Sequence, residues 1–235
     1  MPSVFVSYVR EDSLAVSKVG TVLREFDIGV WLDKTALKPG LRWQDQIRRA
    51  VSKGDFFLAC FSKAYVKRQK TYMNEELTLA IEELRQRPTD RAWFIPLKLN
   101  RCEIPDRVIG AGETLRSIHW VDLYSDWTTG IEKLLSVMAP GSERIPRLIA
   151  QLEHKSARRR VEAIESLGRL GPLAKNAIPK LLERIPEEEA SPFGSSPLAA
   201  IAETLRAVGH RGSEAAVALK RKTRRIDTRR FGVAR

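Results

Sequence analysis

The chain has 235 residues, 43% of them hydrophobic, with two cysteines and 41 Lys+Arg against 29 Asp+Glu. That is enough apolar material for one ordinary domain and a smaller second one, and it excludes a disordered tail. The net charge of +12 is unevenly placed: residues 1–140 hold 21 basic against 18 acidic side chains, and residues 141–235 hold 20 against 11.

Five apolar runs of strand length punctuate the first 140 residues: VFVSY at 4–8, IGVWL at 28–32, FFLACF at 56–61, WFIPLKL at 93–99 and HWVDL at 119–123. Several are apolar on both faces, as in buried parallel strands. Helix-period segments alternate with them, over 13–25, 43–52, 72–87 and 127–138, with a short one at 106–114. The alternation predicts a doubly wound parallel α/β sheet, in which ligands gather at the carboxyl ends of the strands. The loops after Tyr8, Leu32 and Phe61 are therefore where chemistry is expected.

Within the 72–87 segment, Met73, Leu77, Ala80, Ile81 and Leu84 fall on one helical stripe. Glu75 points away from it, whereas Glu76 lies at its edge on the side of Tyr72, because residues four apart stack. A solvated Glu75 and a half-buried Glu76 beside an aromatic ring are expected. The structural alternative is that both simply favour the positive end of the helix, with Thr71 or Asn74 as the N-cap.

After Met138 the strand-like runs stop, and APGSER at 139–144 reads as a junction. The remainder is helical and repeated: IPRLIAQL at 145–152 returns as IPKLLERI at 178–185, and AIESLGRLG at 163–171 as IAETLRAVG at 201–209. Helix pairs at offsets of 33 and 38 indicate a small α-solenoid. PEEEASPFGSSP at 186–197 reads as a loop, and a last helix is expected near 213–224. The predicted boundaries are a first domain over 1–140, helical repeats over 144–225, and a basic tail over 226–235. The run KRKTRRIDTRRFGVAR that closes the chain is read as a solvated basic segment, with nucleic acid or anionic lipid as the alternative.

His119, His154 and His210 are scattered, and neither CxxC, G-x-x-x-x-G-K-[ST] nor G-x-S-x-G occurs, so no metal site, P-loop or esterase elbow is expected. Cys60 and Cys102 read as free thiols, which suits a reducing cytoplasm. Neither a leader nor a membrane span is expected.

VFVSYVRED at 4–12, GVWLD at 29–33, LKPGLRW at 37–43, FFLACFSKAYV at 56–66 and TYMNEELTLAIEEL at 71–84 occur in one order. Together they resemble a bacterial Toll/interleukin-1 receptor (TIR) domain over roughly residues 1–138. The repeats from 144 onward are similar to bacterial HEAT repeats.

The TIR resemblance implies the flavodoxin-like five-stranded parallel sheet and two kinds of function. One is cleavage of the nicotinamide–ribose bond of NAD⁺, as substrate and with no cofactor, by a glutamate four residues after an aromatic. This carries over to Glu76 as the catalytic residue and Tyr72 as the aromatic, where the family often has Trp. Tyr8, Arg10, Asp33, Trp43 and Ser62 are the implied NAD⁺-contacting residues from the loops. Arg10 stands in for a basic residue usually found where Val9 is, and Pro39-Gly40 forms the turn of the loop similar to the family's BB loop. The resemblance further implies self-association that completes the pocket, an unidentified partner on the HEAT-like repeats, and a bacterial immune or toxin-like role. The other kind of function is a noncatalytic adapter.

Overall fold

The computed structural model describes residues 1–32, 43–191 and 195–210, together with 215, 217–219, 221 and 222. Two compact units divide the chain, Met1–Gly141 and Ser142–Arg235.

In the first unit, β1 (Ser3–Ser7), β2 (Gly29–Leu32), β3 (Phe56–Phe61), β4 (Phe94–Lys98) and the short β7 (Val121–Asp122) form one parallel sheet in the order β2-β1-β3-β4-β7. The crossover helices are α1 (Ser13–Glu25), α2 (Trp43–Lys53), α4 (Tyr72–Leu84) and, after β7, α5 (Trp127–Met138). The register sets Phe5 beside Phe57 and Phe57 beside Phe94. Their rings stack at centroid distances of 5.4 and 5.3 Å, a cross-strand aromatic row on one face of the sheet. Met73, Leu77, Ala80 and Ile81 of α4 cover that row. Because residues two apart share a strand face, Ser7 looks the same way as Phe5, toward α4.

The expected five-stranded α/β architecture is thus present, with two local corrections. The short helix predicted at 106–114 is an antiparallel hairpin, β5 (Val108–Gly110) with β6 (Glu113–Thr114). Its turn holds Gly110, Ala111 and Gly112 at positive φ, a conformation that two glycines make accessible and that no helix tolerates. A further short helix, α3 (Lys63–Lys67), follows β3 unpredicted, its N-terminus capped by Ser62.

Gly130 of α5 marks the closest approach of that helix to β7. A Cβ there would lie 2.5 Å from the carbonyl oxygen of Asp122 and 2.7 Å from Leu123 Cδ2. Gly130→Ala is expected to destabilise the first unit by about 1–3 kcal/mol despite alanine's better helix propensity, as read by urea unfolding followed through tryptophan fluorescence.

The second unit is helical: α6 (Arg144–Gln151), α7 (Ala157–Leu170), α8 (Ile178–Ala190) and α9 (Ser195–Ala207). Gly168 of α7 lets α9 approach, since a Cβ would meet Thr204 Oγ1 at 2.8 Å, and that hydroxyl donates to the Ile164 carbonyl at 2.8 Å. The loop predicted at 186–197 is a correction: α8 continues through Pro186 to Ala190. Proline removes one intrahelical N–H. Compensation comes from Glu188, whose carboxylate takes Arg160 Nε at 2.5 Å, Arg160 Nη2 at 2.9 Å and Arg184 Nη2 at 2.8 Å. Lys222 Nζ also donates to the carbonyls of Glu188, Glu189 and Ser191, satisfying the end of the helix. Of the helix predicted near 213–224, residues 215, 217–219, 221 and 222 are described and are helical; the other half, and the whole tail from 226, lie outside the described residues. Among the described residues no helix is long and apolar enough to cross a membrane.

Candidate active site

Thr71 opens α4, its hydroxyl accepting from the Met73 N–H at 3.3 Å. The helix then places Glu76 between Met73 and Ala80, inside the buried stripe and not at its edge. Glu76 is 1% exposed, a correction to the half-buried carboxylate expected from helical counting. Ser7, the last residue of β1 and fully buried, donates its hydroxyl to Glu76 Oε2 at 2.5 Å. A buried carboxylate is costly unless hydrogen-bonded, and a short O–H···O⁻ bond is among the stronger ones. Strand end and helix start therefore fix the orientation of the carboxylate.

Glu76 lines a cavity of about 510 Å³ between α2 and α4, whose other walls include Asp45, Arg48, Asn74, Glu75 and Arg107. Glu75 is exposed, as expected, and still borders this cavity. The site lies at the carboxyl edge of the parallel sheet, since Ser7 ends β1 there.

The other predicted residues are placed differently. Tyr72 begins α4 and is 65% exposed, so the Glu76 carboxylate is enclosed by Ser7 and the core more than by that ring. Tyr8 is half-buried directly after β1, and Val9 behind it is buried at 2%. Arg10 is exposed at the start of the single turn Arg10–Asp12. Ser62 is fully buried, accepts from the Tyr65 N–H at 3.2 Å and donates to Asp12 Oδ2 at 2.5 Å. Burial pushes the Asp12 carboxyl above its ordinary value, against the opposing pull of the Ser62 hydroxyl. This pair closes the β1 and β3 loops on one another. Asp33 and the turn at Pro39-Gly40 lie outside the described residues. Trp43 opens α2, and its side chain is also outside them.

Sequence reasoning passed over Ser7, whose signal was a single hydroxyl at the end of an otherwise apolar strand. It also passed over Arg107, half-buried after β4, whose Nη1 donates to the Asn74 carbonyl at 3.1 Å.

A larger cavity, about 860 Å³, opens elsewhere, against the first residues of β4 and the end of α4. Two of its three arginines are engaged: Arg85 Nε donates to the Ile109 carbonyl at 2.8 Å, and Arg87 lies 4.4 Å over the Trp93 ring and pairs with Glu83. It contains none of the predicted site residues. Cys60 is fully buried and its thiol is held strongly protonated by that burial, reinforced by the charge of Asp12, so it is no nucleophile. Among the described residues no group of three His, Cys, Asp or Glu is placed to hold a metal ion.

No curated protein matches the chain. Residues 4–135, more than half of it, match the family model described as TIR domain.

Proposed function

The chain belongs to the TIR domain family, which takes in both NAD⁺ hydrolases and adaptors, and from that membership we propose that it cleaves the nicotinamide–ribose bond of NAD⁺ with Glu76 as the catalytic carboxylate. The observation that carries the reading is a buried, Ser7-oriented glutamate at the carboxyl edge of the sheet, bordering a cavity of ligand size.

The chemistry suits one fixed carboxylate. The bond from the anomeric carbon to the pyridinium nitrogen breaks with its electron pair going to nitrogen, so nicotinamide leaves neutral and needs no acid. Positive charge develops on the ribose, as in glycoside cleavage. A carboxylate held near it in a water-poor site stabilises that charge and accepts hydrogen bonds from the ribose hydroxyls. Water then adds to the anomeric carbon and loses a proton, giving ADP-ribose; an internal nucleophile would give a cyclic product. In this reading Tyr8, Arg10, Asp33, Trp43 and Tyr72 supply the surrounding wall, and the buried Ser62 acts only through Asp12, by holding the β1 and β3 loops together. Association of TIR domains completes it, and the helical unit, read as HEAT-like, serves as sensor or assembly surface.

Nicotinamide release from NAD⁺, followed against protein concentration, tests the proposal. Wild type and Glu75→Ala are expected to be active, with release rising faster than in proportion to concentration, and Glu76→Ala inactive. Absence of release at every concentration and with a crowding agent would overturn it in favour of the adapter, whose function would survive Glu76→Ala and fail on changes at Pro39 and Gly40.

Ser7→Ala is a finer probe. A hydrogen bond to a charged group is worth about 1.5 kcal/mol or more, so kcat is expected to fall about tenfold, with KM little changed, in steady-state assays.

A further inference from the structure

A second cavity, about 340 Å³, adjoins the Glu76 cavity and is lined by Tyr65, Arg68, Asn74, Glu103, Arg107 and Arg116 among others. Asn74 and Arg107 border both. The two differ in charge. Around Glu76 the acidic groups Asp45, Glu75, Glu76 and Glu82 outnumber Arg48 and Arg107, whereas in the second cavity three arginines face one glutamate.

The three arginines are not equivalent. Arg68 pairs with Glu11 at 2.5 Å and Arg116 with Glu103 at 3.3 Å. Arg107 is held by neutral groups: its Nη1 donates to the Asn74 carbonyl at 3.1 Å and to Thr78 Oγ1 at 3.4 Å, and Asn74 is itself fixed by the Tyr65 hydroxyl, which donates to its Oδ1 at 2.9 Å. These contacts orient the guanidinium on the wall between the cavities. A guanidinium has five donors in a planar fork that matches phosphate oxygens, and among the described residues Arg107 is in no ion pair of the kind that occupies Arg68 and Arg116.

We infer that Arg107 forms an anion subsite that takes the pyrophosphate of a dinucleotide whose cationic pyridinium riboside occupies the acidic Glu76 cavity. The inference rests on the reading of Glu76 given above and specifies the substrate: a molecule positive at one end and anionic at its middle, matched to a site that is acidic and then basic. Arg107 is thereby a binding and specificity residue, and a pyridinium riboside without phosphates is a poor substrate.

The test compares NAD⁺ and nicotinamide riboside as substrates for the full chain, with ADP-ribose binding measured by calorimetry. Arg107→Gln is expected to raise KM for NAD⁺ and the ADP-ribose dissociation constant about tenfold or more, the loss of a charge-assisted contact. It should lower kcat/KM for nicotinamide riboside far less than for NAD⁺, and Arg107→Lys should fall between. An unchanged KM for NAD⁺, or equal losses on both substrates, would overturn the subsite while leaving the Glu76 reading intact. If wild type releases nicotinamide from neither compound, the Glu76 reading fails by itself. ADP-ribose binding that weakens in Arg107→Gln then still supports the subsite, and binding that is absent or unaffected overturns it.

Discussion

Glu76→Gln is expected to lower nicotinamide release by about 10²–10³-fold, the loss of roughly 2.7–4 kcal/mol of transition-state stabilisation that follows removal of one preorganised electrostatic group. Glutamine keeps the volume of the side chain, and its amide oxygen still accepts from Ser7, so the packing around Met73 and Ala80 is preserved. What disappears is the negative charge. The variant therefore separates electrostatic catalysis from a merely structural role, which Glu76→Ala does not, since truncation also empties space and orphans the Ser7 hydroxyl. Folding stability is expected to move the other way. A carboxylate at 1% exposure is held against a desolvation penalty, and replacing it with a neutral isostere is neutral or stabilising. An unfolding midpoint equal to or above wild type, together with lost activity, is the signature of a site that trades stability for function. A stable variant with full activity would remove Glu76 from the mechanism.

The sheet was legible because its strands are apolar on both faces and its helices are not, a contrast that survives without tertiary information. The separation of Glu75 from Glu76 was legible for the same reason: it follows from 100° per residue alone. The burial of Glu76 was understated because its partner, Ser7, lies 69 positions earlier, and no local pattern announces a strand-end hydroxyl aimed at a helix. The hairpin at Val108–Thr114 hides behind a short helical pattern, and its turn depends on Gly110 and Gly112 at positive φ, which that periodicity does not report. The continuation of α8 past Pro186 has a similar origin. Local composition argued for a loop, and the tertiary clasp on Glu188 by Arg160, 28 residues earlier, overrode it.

That clasp carries the largest expected effect on stability. Glu188 is 1% exposed and accepts from two guanidinium groups, of which Arg160 is itself buried at 7% and further tied to the His154 and Lys155 carbonyls. Glu188→Ala leaves the Arg160 charge buried with its main partner gone, and the second unit is expected to lose about 3–5 kcal/mol. Replacing both partners, as in Arg160→Met with Glu188→Leu, should recover much of this, because neither charge then remains to be solvated. The measurement can be made on the intact chain. All five tryptophans lie between residues 31 and 127, so fluorescence reports the first unit, whereas far-UV circular dichroism reports the helices of both. The dichroism transition should move to lower denaturant in Glu188→Ala while the fluorescence transition stays. Acid should act on the same group. Burial raises the Glu188 carboxyl, but the hydrogen bonds from Arg160 and Arg184 outweigh it and hold the group below its ordinary 4.5. A carboxyl depressed by folding contributes stability that is complete above its unfolded value and is lost as pH falls through the folded one. Wild type should therefore show the second unit weakening below about pH 4.5, and Glu188→Gln, which cannot titrate, should flatten that part of the profile. A pH dependence unchanged by the substitution would assign the acid sensitivity to other carboxylates and remove the clasp as its cause.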